Sequence, residues 1–265
     1  MYRFEYHKAT SLEDAASKRS TADDATYLAG GMTLIPTLKQ RLASHSDLID
    51  LAGIDGLAGI SVDGAVVTIG AMTCHAEVAA SAALRDAIPA LADLAGLIAD
   101  PAVRNRGTIG GSLANSDPAA DYPAAVLGLG ATIVTDKHEI AADDYFLDLF
   151  ETALEEGEII TAIKFPVPKR AAYEKFPNPA SRYAIVGVFV AETEGGVRVA
   201  VTGAGPCAFR VSDMEAALAG NFAPDAVAGI TVSADDLNQD LHASAAYRAS
   251  LVTTMAKRAV AKAAG

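Results

Sequence analysis

Two glycine pairs, Gly30-Gly31 and Gly110-Gly111, most limit what this chain can fold into. Each stands beside hydroxyl residues: Gly30-Gly31-Met32-Thr33 in one case, Thr108-Ile109-Gly110-Gly111-Ser112 in the other. Glycine takes positive φ and lets a ligand approach the backbone, and successive N–H groups at such a turn cradle an anion without a lysine. Two cradles facing each other suit a pyrophosphate; either alone is also explained as a tight strand-to-helix turn. Neither pair matches GxGxxG or GxxxxGK[ST], so the common nucleotide folds are disfavoured while nucleotide binding is not.

The surrounding pattern predicts three modules of an α+β chain. In the first, residues 1–56, Phe4 to His7 reads as a strand and Ser11 with Asp14 as a capped helix start. Thr26 to Ala29 is then a strand running into the first glycine pair. Leu34, Leu38 and Leu42 lie on one helix face, and Leu48 to Leu51 reads as a third strand. Module two, residues 57–170, opens with a hairpin, Ala58 to Val62 and Val66 to Gly70, around Asp63-Gly64. Helical segments His75 to Ser81 and Leu84 to Leu97 follow, then a polar, glycine-rich loop through Pro123 of the kind that is more often functional than connective. Ala124 to Thr135 reads as a helix or a strand pair, and Gly157 to Phe165 as a strand. Pro166, Pro168 and Lys169-Arg170 mark a boundary, since X-Pro positions interrupt regular ladders. In the third module, residues 171–265, strands Ala184 to Glu192 and Val197 to Gly203 join at Gly195-Gly196, and a long helix runs from Ala243 to Ala264.

Composition narrows the chemistry. A net charge of −12 removes the field that would attract a phosphate backbone, so nucleic acid is not an expected partner. The two cysteines, Cys74 and Cys207, fall short of the four thiolates of an iron–sulfur cluster or an all-cysteine zinc site, and read as reduced thiols. The five histidines show no metal-ligand spacing, so His75 and the others read as surface or core residues and no metal site is expected. No GxSxG elbow supplies a nucleophile. Asp117 and Asp121, after the second glycine pair, read either as carboxylates for ligand hydroxyls or as turn and capping residues. Arg104 and Arg106 read as phosphate or partner contacts, or as solvated charge. The N-terminal MYRFEYHKATSLEDAA has no apolar stretch like that of a signal peptide, and the uncharged run Tyr122 to Thr135, as long as any in the chain, falls short of the roughly 18 residues of a membrane span. A cytoplasmic protein without a transmembrane segment is expected.

The segments YLAGGMTLIPTLKQRLASHSDLIDLAGIDGLAGI, VTIGAMTCHAEVAAS and DPAVRNRGTIGGSLANSDPAADYPAAVL, with GEIITAIKFP and YEKFPNPASRYAIVGV, closely resemble the FAD-binding medium subunit of the molybdenum hydroxylases, the family of aerobic carbon monoxide dehydrogenase and xanthine dehydrogenase. Their order and spacing carry the resemblance over the whole chain. It implies two FAD-binding subdomains of the vanillyl-alcohol-oxidase type and a C-terminal domain with a three-stranded antiparallel sheet and helices. Residue by residue, it puts Leu28, Ala29, Gly30, Gly31, Met32, Thr33, Leu34 and Ile35 along the FAD pyrophosphate, and Thr108, Ile109, Gly110, Gly111 and Ser112 opposite. Asp121 matches an aspartate near the ribityl–pyrophosphate region, Ile98 a position packing beside the cofactor, and Ile160 one whose backbone meets the isoalloxazine edge. Lys175 and Tyr183 match positions near the flavin ring. Met32 departs from the polar residue many relatives carry there.

The resemblance further implies noncovalent FAD, with no catalytic acid or base on this chain. The molybdenum–pterin centre belongs to a large partner subunit and two [2Fe–2S] clusters to a small one, in a dimer of heterotrimers that leaves peripheral membrane association open. A stand-alone flavin oxidase or dehydrogenase, and a non-redox assembly subunit, are the competing readings.

Overall fold

The first sheet is small and wholly parallel because its connections are crossovers. A computed structural model describes residues 1–265 and places β1 (Glu5–Lys8), β2 (Ala25–Leu28) and β3 (Asp47–Asp50) in the order β1-β3-β2. Between the first two runs α1 (Leu12–Thr21), capped by Ser11, whose Oγ accepts from the Asp14 N–H at 3.1 Å. Asp14 reaches back to the Thr10 N–H, one residue short of a reciprocal capping box. β2 delivers the chain to Gly30-Gly31, after which α2 (Leu34–Lys39) begins. The expected helix through Leu42 stops early, and Leu42 is exposed. This sheet covers only a minor core built on Ala9, Ala15, Ile49, Leu51 and Leu57.

The second sheet has the order β4-β5-β10-β6-β7, antiparallel throughout, from β4 (Ile60–Asp63), β5 (Val66–Gly70), β6 (Thr132–Thr135), β7 (Glu139–Ala141) and β10 (Ile160–Pro166). Asp63 pairs with Val66, so the hairpin turn is Gly64-Ala65, one residue beyond the expected Asp63-Gly64; Gly64 takes φ +56°. Three helices, α3 (His75–Ala80), α4 (Ala82–Ala87) and α5 (Pro89–Gly96), replace the two expected. Pro89 has no N–H to continue the preceding helix and starts a new one at its first position. The stretch read as a loop contains α6 (Pro101–Arg104) and α7 (Ile109–Asn115), capped by Asp100 and Thr108. Then α8 (Tyr122–Leu129) is buried at every position, a helix apolar all round at the centre of the largest core. A two-stranded ribbon, β8 (Phe146–Asp148) with β9 (Glu151–Thr152), lies outside the main sheets.

The third sheet shares that core. β11 (Arg170–Pro177), β12 (Ala184–Thr193), β13 (Gly196–Thr202) and β14 (Phe209–Arg210) form an antiparallel sheet. It has four strands, not the expected three, because after Gly203 the chain returns and Phe209 pairs with Val201; two residues carry too little alternation to announce a strand. Along β12 the two faces separate: Phe189 and Ala191 join the large core, while Val186, Val188 and Val190 meet α9 (Ser212–Gly220) and α10 (Ala245–Ala264). The stripe Leu251, Val252, Met255, Ala256, Ala259, Val260 gives α10 its buried face. No helix is long and apolar enough to cross a membrane.

Candidate cofactor site

The first glycine pair meets the second across a cavity of about 790 Å³. Gly31 takes φ +72°, and Leu28 and Ile35 pack behind it, their side chains 3.1 and 2.9 Å from where a Cβ would stand. Gly30 lies against the turn that leads into α7: a Cβ there would sit 2.8 Å from Gly107 Cα. Ala29 faces Gly111 in the same way, at 3.5 Å. The N–H groups of Gly30, Gly31, Met32 and Thr33 donate to no acceptor within the protein, so this turn offers a row of free donors. At the second turn the donors are spent. Ile109 N–H donates to Thr73 O, Gly110 to Ala71 O, Gly111 to Thr108 Oγ1 and Ser112 to Thr108 O, at 2.8 to 3.1 Å. The expected pair of equivalent cradles is therefore one donor-rich turn facing a glycine wall. Gly110 is needed there for packing, since a Cβ would stand 2.6 Å from that of Ala71.

Of the residues singled out in the sequence, Ala29, Gly30, Gly31, Met32, Thr33 and Leu34 line the cavity on one side, and Thr108, Gly110, Gly111 and Ser112 on the other. Ile98, Asp121, Ile160 and Tyr183 also line it. Leu28, Ile35, Ile109 and Lys175 do not. The first three support the turns from behind. Lys175 is buried, with Nζ donating to Leu97 O at 3.0 Å and Arg182 O at 2.9 Å, and paired to Asp121 at 3.0 Å. It fastens the 178–183 turn and the end of α5 to the aspartate that opens α8.

Asp121 is 5% exposed and accepts from Tyr173 Oη at 2.5 Å as well as from Lys175. Burial pushes its carboxyl above the ordinary range, against the pull of Lys175 and Tyr173. Asp117 also lines the cavity and is raised by burial, with one oxygen accepting from Ala119 N–H at 2.8 Å. Tyr183 is 46% exposed at the cavity edge. Arg104 is half-buried and donates to Ile98 O and Ala99 O, so that it closes its own loop. Cys74 and Cys207 are half-buried free thiols.

Sequence reasoning missed His75, which lines the cavity and is buried. Its signal was adjacency to the loop in space, visible only once Cys74 and Thr108 are known to bridge. Burial first, then the charge of Arg104, holds its imidazole neutral, down to about 4. Glu158 and Ile159, just before β10, were likewise unmarked and line the cavity.

A pocket of this size, with a donor-rich glycine turn on one side, has the room and the donors for a dinucleotide cofactor. Comparisons with known proteins sharpen that class. Residues 2–168 match the FAD binding domain in molybdopterin dehydrogenase, and residues 171–263 the CO dehydrogenase flavoprotein C-terminal domain. The chain is 36% identical to the carbon monoxide dehydrogenase medium chain of Hydrogenophaga pseudoflava, over 97% of this chain and 96% of that one. It is 35% identical to the nicotine 6-hydroxylase medium subunit of Paenarthrobacter nicotinovorans over the same shares. Reconstituted CO dehydrogenase from Oligotropha carboxidovorans superposes with a TM-score of 0.90 at 34% identity, covering 99% of this chain and 98% of that one. The chain belongs to the FAD-binding family of the molybdopterin dehydrogenases, and it is an oxidoreductase flavoprotein subunit.

Proposed function

We propose that the chain is the FAD-carrying subunit of a molybdenum hydroxylase complex, and that its cofactor lies in the cavity between the two glycine turns. The observation that carries this reading is the run of unpartnered N–H groups from Gly30 to Thr33, beside a glycine contact that a side chain would fill. FAD bound there supplies electron exchange between [2Fe–2S] clusters on a small partner subunit and an external acceptor. The protein binds and orients. Gly30 to Thr33 donate to the diphosphate; Leu28, Leu34 and Ile35 shape that turn; Thr108 to Ser112 form the facing wall. Ile98 would pack beside the cofactor, the Ile160 backbone would meet the isoalloxazine edge, Asp121 would lie near the ribityl portion and Tyr183 near the flavin ring, with Lys175 fixing Asp121 and the 178–183 turn.

The same reading makes residues 1–56 and 57–170 two subdomains of the vanillyl-alcohol-oxidase type, and 171–265 the C-terminal domain. It places the chain in the cytoplasm, in a dimer of heterotrimers with the small iron–sulfur subunit and a large molybdenum–pterin subunit. Relatives carrying different substrates in their names, carbon monoxide and nicotine among them, fit a pocket of choice on the large subunit. Titrating flavin-stripped protein with FAD and following flavin fluorescence tests the reading: saturable one-to-one binding is expected, and its absence refutes it. Acid precipitation is expected to leave the yellow chromophore in the supernatant, whereas a yellow pellet refutes noncovalent attachment.

A further inference from the structure

The side chain of His75 makes no hydrogen bond, although it is 5% exposed and lines the cavity. Its backbone is pinned, the N–H donating to Gly107 O at 2.9 Å. Packing alone holds the ring: Tyr122 lies 5.3 Å away between centroids at 54°, and Nε2 stands 2.6 Å from where a Gly107 Cβ would be. Gly107 Cα lies 2.8 Å from the corresponding point on Gly30. The imidazole, Gly107 and the donor-rich turn therefore form one continuous wall. Nδ1 is fully enclosed and unpartnered, which leaves Nε2 as the nitrogen with access to the cavity.

A proton on Nδ1 would be a buried donor without an acceptor, which is uncommon, so the neutral ring carries its proton on Nε2. Nε2 donates to no acceptor within the protein, and its partner is a group held in the cavity. Beyond Gly107 lie the free N–H groups of the Gly30–Thr33 turn, and the field of the Arg104 guanidinium reaches the ring, so an anionic oxygen is the chemistry that fits.

We propose that His75 is a further cofactor-binding residue, its neutral imidazole donating from Nε2 to an oxygen of the dinucleotide's diphosphate. The inference rests on the reading of the cavity as an FAD site. It adds a side-chain donor to a turn that otherwise binds through backbone alone, which is why a position filled by packing also carries two ring nitrogens.

The test uses the full chain, stripped of flavin and titrated with FAD, as wild type, His75→Leu and His75→Gln. Removing one hydrogen bond to a charged group is expected to weaken binding about 10–100-fold in His75→Leu, which keeps the ring's bulk. His75→Gln, which carries an amide N–H at similar reach, is expected to recover most of it. A second measurement needs no variant: ¹⁵N NMR of histidine-labelled wild type saturated with FAD is expected to show the proton on Nε2. Unchanged affinity in His75→Leu, or a proton on Nδ1 in the complex, overturns the proposal while leaving the FAD site standing. Wild type that takes up no FAD overturns the cavity reading and this inference together.

Discussion

Replacing Gly30 with alanine tests the contact between the two turns more directly than any other single change. The added Cβ would stand 2.7 Å from the Arg106 carbonyl carbon, closer still to its oxygen, and 2.8 Å from Gly107 Cα. Carbon atoms attract best near 3.5–4.0 Å, so each contact is about 1 Å too short, and every offending atom is backbone. Rotamer changes cannot relieve it; one turn must move. Overpacking of this kind costs about 1–3 kcal/mol in stability. The displaced turn also loses its alignment toward the cofactor, so FAD affinity falls by at least about tenfold, equal to about 1.4 kcal/mol. Urea unfolding of the flavin-free protein reads the first effect, and fluorescence titration with FAD the second. Gly96→Ala is the control: Gly96 ends α5 in open space at ordinary φ, so that change leaves affinity alone and stabilises by up to about 1 kcal/mol. Gly30→Ala with wild-type stability and wild-type affinity would refute the claim that the turns meet backbone to backbone.

Lys175→Met leaves the Asp121 carboxylate buried without its ammonium, both side chains being no more than 5% exposed, and is expected to cost about 3–5 kcal/mol in urea unfolding; a loss below 1 kcal/mol contradicts the pairing. Thr108→Ala removes the cap that accepts from Gly111 N–H at 3.1 Å and is expected to cost about 1 kcal/mol by thermal melting. His75 titrates near 4 when folded, against an ordinary 6.5, so between these values the unfolded chain binds a proton that the native chain refuses. Its contribution to stability thus rises with pH across that window, and acidification from pH 7 to 5 removes about 2 kcal/mol. Urea titrations of wild type and His75→Gln should differ by that slope, and parallel profiles would contradict a buried neutral ring.

The sequence was most legible where a residue type has one physical use. A glycine at φ +72°, or one with another backbone at its Cα, has no substitute, so both pairs stood out and both reached the cavity. What a glycine is for was less legible. Gly30 frees donors for a ligand, whereas Gly110 spends its donor on Ala71 and serves packing; the two look alike in sequence because the acceptor lies 39 residues away in the chain. Lys175 and Asp121 show the same limit from the side of charge. Each has a bland local reading, surface lysine and turn aspartate, and only the antiparallel return of β11 past the start of α8 makes them a buried pair. The third module misleads for a related reason. Its hairpin is plain from Gly195-Gly196, yet β12 is apolar on both faces, a sign that it is covered on both. Phe189, packed on Gly128 of α8, inserts one face into the core of the FAD-binding region. A domain boundary drawn at the prolines is therefore a boundary in the chain and not in the core: the sheet that carries Tyr183 to the cavity edge is fastened to the helix that Asp121 opens, and the site's far wall inherits its position from that shared packing.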